Sequence, residues 1–390
     1  MRKLREQNFE NYGSLPHEVS PLYSKYSDVN RLRPERVKLS RTIGSNEPHD
    51  FLQPRITDFG EDLGLVRVGS TILKLNKYGE DSRPAPIIGD FSESISKYED
   101  KFKEILLGNP GHWKPEDKFL SLEASAFKSG IFIYIPEGQI VETPIRVVCA
   151  LSEDGTSCIS RNLVIVGDGS RCTIVQELYS PGSVVSNGVQ QGDFQLTECH
   201  VGQDANLEMI TLQALDPNTI SFLNKKAWIE RDGKMSWYQG LFGGQLSRCK
   251  VDSIMKGTGS SAEDIEIVFG NSTQSFDITS NLNHLGAHTR GRTLVKSVMR
   301  DKSKSLFKGM IKIGTNAKAS ESYLAGHAIL LNKDAKSDAI PGLEIETNEV
   351  KATHSASVAQ LDESQIYYLM CRGLDRDSAK REIVSGFLEP

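Results

Sequence analysis

From Gly138 onward, helical periodicity all but vanishes for more than two hundred residues, and short alternating runs such as NLVIVGDGSRCTIV and KAWIERDGKMSWY are separated by polar turns. Many short strands without intervening helices leave three architectures: a sandwich, a closed barrel or a solenoid. Spacing decides among them. Polar turns at Gly314–Asn316, Asn332–Asp334 and Thr347–Glu349 recur at short, near-regular intervals, while earlier turns near Asp168, Gln203, Asp232 and Gly257 are spaced more widely. A recurring unit too small to bury its own apolar face is stabilised by stacking on its neighbours. The last hundred residues also lack Asn-Gly or Asp-Gly hairpin turns. The expected fold is therefore mainly β, a parallel β-solenoid, with a sandwich as the fallback.

Parity within the strands agrees. In FKGMIKI, Phe307, Gly309, Ile311 and Ile313 share one face, opposite Lys308, Met310 and Lys312. That is the pattern of a half-buried strand. In VKATHSASV, Val350, Ala352, His354, Ala356 and Val358 fall together, opposite Lys351, Thr353, Ser355 and Ser357. His354 thus shares parity with an apolar set.

Three regions follow: residues 1–120, mixed and partly helical; 121–360, the β core; and 361–390, a helical hairpin. In the first, Ile95, Tyr98, Phe102, Ile105 and Leu106 place a helix over Ser94–Leu107, stopped by Gly108 and Pro110. In the last, Asp362-Glu-Ser-Gln365 is a capping box, and Ile366, Leu369 and Met370 form a stripe before Gly373. Asp375 caps a second helix carrying Ala379 and Ile383, with Phe387 placed past Gly386. The hairpin's apolar face must pack on the solenoid or on another protein.

Charge and motifs exclude several functions. A net charge of −5 from 46 basic and 51 acidic residues gives no basic excess for nucleic acid or an anionic membrane. The N-terminus lacks an apolar segment behind its basic residues, so a cytoplasmic location is expected. Six scattered cysteines without a C-x-x-C pair read as reduced and mostly buried. No P-loop, H-E-x-x-H, G-x-S-x-G or dinucleotide fingerprint occurs.

Eight histidines remain, at 17, 49, 112, 200, 284, 288, 327 and 354. His284 and His288 lie on strand and loop, where four positions separate them by about 13 Å, so they read as polar β residues. Cys199 and His200 point to opposite faces. His354 is either a satisfied interior residue or, because it sits on the last strand of a stack, a ligand for a soft or borderline metal. His327 shares parity with Tyr323, Ala325 and Ile329, within a coil or two of it.

These residues resemble a known family. The stretch Ile340–Phe387, IPGLEIETNEVKATHSASVAQLDESQIYYLMCRGLDRDSAKREIVSGF, is similar to the C-terminal signature of the SufB/SufD family of iron-sulfur cluster assembly proteins. KFLSLEASAFKSGIFIYIPEGQIVETPI (Lys118–Ile145) and KSLFKGMIKIGTNAKA (Lys304–Ala319) also match, whereas Ala317–Ser322 departs from the family's A-Q-K-T-D-A. The resemblance implies a right-handed parallel β-helix that pairs through its end with a sister chain. It implies a SufC-like ABC ATPase bound at the C-terminal helices, and a transient iron-sulfur cluster at the sister-chain interface, with no permanently bound cofactor and flavin left open. His354 matches the family's cluster-forming histidine on the SufD side. The following Ser355, where SufB chains carry glutamate, and His327 near the place of a SufB cysteine point to a SufD-like, non-catalytic chain. The alternatives are a SufB-like homodimeric scaffold and, in another class, a β-helix carbohydrate-active enzyme. The chain stops at GFLEP where relatives continue, so the ATPase surface is expected to be small and to rest on Tyr367, Tyr368, Leu369, Arg372, Ile383 and Phe387.

Overall fold

The structure, a computed structural model, describes residues 2–16, 25–39, 50–77, 85–98, 117–152, 155–182 and 188–389. Two sheets wrap one interior. The first contains β1 (Gly64–Val68), β2 (Thr71–Asn76), β5 (Ile145–Ala150), β7 (Arg171–Tyr179), β9 (Asn206–Ala214), β11 (Lys234–Leu241), β13 (Ser261–Gly270), β15 (Arg290–Met299), β17 (Glu321–Leu330) and β19 (Lys351–Gln360). The second contains β3 (Ile87–Asp90), β4 (Ile131–Ile135), β6 (Cys158–Val166), β8 (Gly192–Val201), β10 (Ile220–Ile229), β12 (Leu246–Met255), β14 (Ser275–His284), β16 (Lys304–Ile313) and β18 (Lys336–Ile345). From β4 to β19 the strands alternate between the sheets, two per coil, and every pairing within a sheet is parallel. Leu246 lies beside Ser275, and Ser275 beside Lys304, each 29 positions further along. The fold is a parallel β-solenoid, and the sandwich alternative falls. At its N-terminal end the stack carries antiparallel pairs, β1 with β2 and β3 with β4.

Each coil but the last turns from the second sheet to the first through a residue of positive φ: Gly138, Gly169, Asp204, Asp232, Gly259, His288 and Ala319. Each of these amides donates to a carbonyl of the next coil, from Gly138 to Asp168 at 2.8 Å through Asp232 to Thr258 at 3.0 Å to Ala319 on Glu349 at 2.7 Å. The left-handed conformation points the amide along the stack, which is why Gly and Asp recur there.

The interior cluster runs from Leu63 and Ile131 to Phe307, Ile311, Leu324 and Ala335. Phe307 fills the bore so closely that a Cβ on Gly326 would meet its ring at 2.3 Å. Phe307, Gly309, Ile311 and Ile313 are all buried, as parity requires. Lys308 corrects the expectation for the opposite face: it is buried too, paired with Asp277 at 2.7 Å, while Ser27 donates to the same carboxylate at 3.2 Å. The outer face of β16 is covered at Lys308 and open at Lys312, which remains exposed.

The covering layers come from the N-terminal region. Helices α1 (Arg2–Ser14), α2 (Gln53–Phe59), α3 (Phe91–Lys97) and α4 (Lys118–Ala126) precede the regular coils. Phe91, Phe119 and Phe127 pack with Phe132, Phe194 and Phe222 on the outer face of the second sheet. Leu52 and Phe59 cover Val66, Val68 and Val148 on the first. Asp117 caps α4 through the Phe119 and Leu120 amides and binds Arg248 of β12 at 2.5 Å. The Arg248 and Lys250 charges outweigh the burial of its carboxyl and hold it well below the usual carboxylate range. Helix α3 begins earlier than its apolar stripe, because Asp90 accepts from the Ser92 and Glu93 amides. Ile95 and Tyr98 join the outer cluster. Phe102, Ile105, Leu106, Gly108, Pro110 and His17, His49 and His112 lie outside the described residues.

His284, at the end of β14, is fully buried between Thr289 (2.8 Å from Nδ1) and Ser322 (3.0 Å from Nε2). Burial lowers its pKa to about 4. His288 occupies a left-handed corner. The two rings thus occupy different settings, one inside the bore and one at an exposed corner.

Two outcomes test this architecture. Lys308→Met leaves Asp277 buried without its cation and should cost about 3–5 kcal/mol in denaturant unfolding, whereas Lys308→Met with Asp277→Leu should recover most of that loss. For His284, the folded pKa lies below the unfolded value of about 6.5, so its contribution is complete above that value and is lost as pH falls towards 4. The Tm of the wild type should therefore fall more than that of His284→Gln between pH 7.5 and 4.5, and parallel slopes would refute the assignment.

Candidate functional site

The C-terminal end of the stack is its open end. β18 and β19 are the terminal strands of their sheets, each pairing on one side only. Following the register inward from β19, His354 lies beside Leu324, then Thr293, Asp264, Trp237, Met209, Ile174 and Ile145. Seven of the eight members of this interior row are buried, and the outermost, His354, is exposed. Its parity belongs to the core; its exposure arises because no coil follows. Among the described residues its imidazole has no hydrogen-bond partner. Around it the same end displays Leu343, Ile345 and Val358, all exposed, while Ala339, Val350 and Ala352 pack partly against the core.

His327 is placed elsewhere. It lies in register with Lys296 and Ser357 on the outer face, and its Nδ1 is 2.7 Å from the Ser357 hydroxyl. The structure does not bring the two histidines together. Among the described residues no group of three or more His, Cys, Asp or Glu side chains is arranged to hold a metal ion.

Helices α5 (Glu363–Met370) and α6 (Arg376–Leu388) form the hairpin. Asp362 accepts from the Ser364 amide and Asp375 from those of Asp377 and Ser378, the two caps read from sequence. Gly373 turns the chain at φ 100°. Ile366 and Ala379 are buried, and Arg376 clamps Glu363 with contacts of 2.6 and 2.7 Å. One expectation needs correction: α6 continues through Gly386 and Phe387 to Leu388. Gly386 keeps an ordinary φ and a Cβ there would meet nothing, so it costs helix propensity without ending the helix. The hairpin docks on β15, where Lys296 lies 5.7 Å over the Phe387 ring and donates to the Glu389 carbonyl. Tyr367 and Tyr368 are 69% and 57% exposed, and Arg372 donates to the Tyr368 hydroxyl at 3.1 Å. Leu369 and Ile383 are half-buried.

Sequence reading missed a polar lane inside the bore. Gln195 donates to Asp193 at 2.8 Å, Gln176 to Gln195 at 2.9 Å, Thr211 to Gln176 at 3.4 Å, and Lys225 to Thr211. Beyond Lys225 lie Asp264 and Glu266, with Ser280 donating to Asp264 at 2.6 Å. Burial pushes Asp193 and Asp264 up to about 6 and Glu266 well above its usual range, and lowers Lys225. The signal was present in EDIEIVF, where Asp264 and Glu266 share parity with buried Val268. Five cysteines are buried, and burial raises their pKa values, so they are protonated and poor nucleophiles; only Cys371 is exposed. No helix among the described residues is long and apolar enough to cross a membrane.

Comparison with known proteins agrees with this geometry. Residues 149–387 match the family described as SUF system FeS cluster assembly, SufBD core domain. An iron-sulfur cluster assembly SufBD family protein of Staphylococcus haemolyticus is 25% identical over 304 residues, covering 78% of this chain and 64% of that protein. A Staphylococcus aureus relative of the same description has the same identity and coverage, and one from Staphylococcus saprophyticus is 26% identical over 279 residues, 70% of this chain and 58% of its own. The chain thus spans under two thirds of the length of these relatives. With more than half its residues matching the core domain and a solenoid running through that region, the chain belongs to the SufB/SufD family of iron-sulfur cluster assembly proteins.

Proposed function

We propose that this chain is a non-catalytic, SufD-like subunit that acts in the cytoplasm within a SufB–SufC–SufD type complex and helps assemble nascent iron-sulfur clusters. The observation that carries this reading is the interior row that ends in an uncovered imidazole. A cluster is held by several ligands, typically four. One histidine with neighbouring serines supplies one, so the remaining ligands come from the sister chain docked on the same end. The cluster is cargo, held in transit between the two chains and then passed on.

The open end favours such docking. Bare strand edges of β18 and β19 offer unpaired backbone groups to an incoming strand, and Leu343, Ile345 and Val358 offer apolar area around His354. An imidazole there is a ligand of suitable softness for iron. His327, turned to the outer face beside the hairpin, has the weaker claim on the cluster.

The hairpin is the proposed seat of a SufC-like ABC ATPase. Phe387 ties α6 to β15, which is continuous through the parallel ladder with β17 and β19. Movement imposed on the hairpin by ATP turnover therefore has a short, packed route to the strand carrying His354. Tyr367, Tyr368 and Arg372 form the exposed contact, with Leu369 and Ile383 at its margin.

His354 is exposed, so His354→Ala should leave Tm unchanged to within about 0.5 kcal/mol of stability. Co-expressed with its sister chain, the variant should keep the complex on size exclusion but lose several-fold in iron and acid-labile sulfide after reconstitution. Undiminished cluster content would end the proposal, and a stoichiometric cluster on the purified chain alone would reassign it as a SufB-like homodimer. Tyr367→Ala with Tyr368→Ala should weaken capture of the ATPase by tenfold or more, as loss of exposed aromatic anchors does, without changing cluster yield at fixed complex concentration.

A further inference from the structure

A trough of about 550 Å³ crosses the outer face of the first sheet, the face opposite the row that ends in His354, and reaches the terminal strand β19 at Lys351 and Thr353. It runs over β11, β13, β15, β17 and β19. Its floor is two register columns. The first is Lys234, Ser261, Arg290, Glu321 and Lys351; the second includes Glu263, Arg292, Tyr323 and Thr353. Neighbouring strands lie ~4.8 Å apart, so five strands make a track of ~19 Å. That is the length of an extended peptide of six or seven residues rather than of a compact small ligand.

The charges along the track are unevenly matched. Glu263 is occupied by Arg292 at 2.8 Å and by the Tyr238 hydroxyl at 3.1 Å. Glu321 holds Lys351 at 3.2 Å in a pair exposed on both sides, which is weak and readily exchanged. Among the described residues, Lys234 and Arg290 have no acidic partner at all. On a chain of net charge −5 this is a locally cationic strip on an acidic molecule. Lys234, Arg290 and Lys351 lie on β11, β15 and β19, two strand spacings apart, or ~9.6 Å. A polyproline II segment repeats its face every three residues at ~9.3 Å.

We infer that this trough docks an extended acidic segment of a partner polypeptide, with carboxylates at every third position. Each carboxylate meets one of Lys234, Arg290 and Lys351, and the exposed ring of Tyr323 lies beside the track to take an apolar residue between them. Aromatic side chains in grooves read pre-extended segments in this way, because such segments lose little conformational freedom on binding.

The test uses the full chain and a fluorescein-labelled peptide of three Glu-Pro-Pro repeats, followed by anisotropy at low salt. Binding in the micromolar range is expected, with at least tenfold weakening in Lys234→Glu/Arg290→Glu and a smaller loss in Lys234→Ala/Arg290→Ala; a Lys-Pro-Pro peptide should not bind. Both variants alter exposed side chains, so Tm should stay at the wild-type value, and the alanine pair serves if charge reversal perturbs folding. No binding by the wild type at millimolar peptide, equal binding by both variants, or equally tight binding of inorganic triphosphate would each overturn the inference.

Discussion

Everything in this molecule depends on hydrogen bonds between one coil and the next. No coil buries its own apolar face, and each inner coil is held by its two neighbours through parallel ladders on both sheets and through the corner amides that donate along the stack. The left-handed corners are the least replaceable part of that arrangement. At Asp204, Asp232 and His288 a side chain tolerates positive φ, and at Gly138, Gly169 and Gly259 none is present. Because the ladder fixes register across the stack, it also fixes which residues line the bore, and so carries the row from Ile145 to His354.

The same register explains how polar chemistry enters the core. Asp264 and Thr293 are interior members of the row that ends in His354, and Trp237, one coil earlier, donates to Ser253 at 3.2 Å. Lys225 sits among Asp264, Glu266, Cys199 and Cys249, its charge opposed by burial and favoured by the acids around it. Such a lane is costly unless its members satisfy one another, which the glutamine, threonine and serine contacts achieve in part, from Asp193 through Gln195, Gln176 and Thr211 to Lys225 and from Ser280 to Asp264. The core therefore has two textures, an apolar packing that sets stability and a polar thread that makes register specific.

Much of this was legible in the sequence. Period-two parity placed Phe307, Ile311 and His354 on the inward face, and Asp362, Gly373 and Asp375 marked the hairpin's caps and turn. What escaped was set by tertiary covering. Lys308 reads as a solvent residue until the N-terminal segment shields it and Asp277 compensates it. Phe387 reads as lying past Gly386, outside the second helix's stripe, until α6 is seen to continue through both and to dock on β15 by that ring. The corner residues carry no motif, because Gly, Asp, His and Ala serve the same φ and only alignment of coil upon coil reveals their common role. His327 and His354 are close in sequence, yet strand alternation assigns them to opposite faces, a distinction parity contains but that reading each strand alone does not expose.

The two ends of the stack differ in kind. At the N-terminal end β2 and β3 run against their neighbours, so a parallel coil arriving there meets strands of the wrong direction. The other end is unfinished and runs true. A solenoid whose two ends were alike could stack on copies of itself without limit; here reversed strands at one end and forward-running strands at the other make the ends unlike.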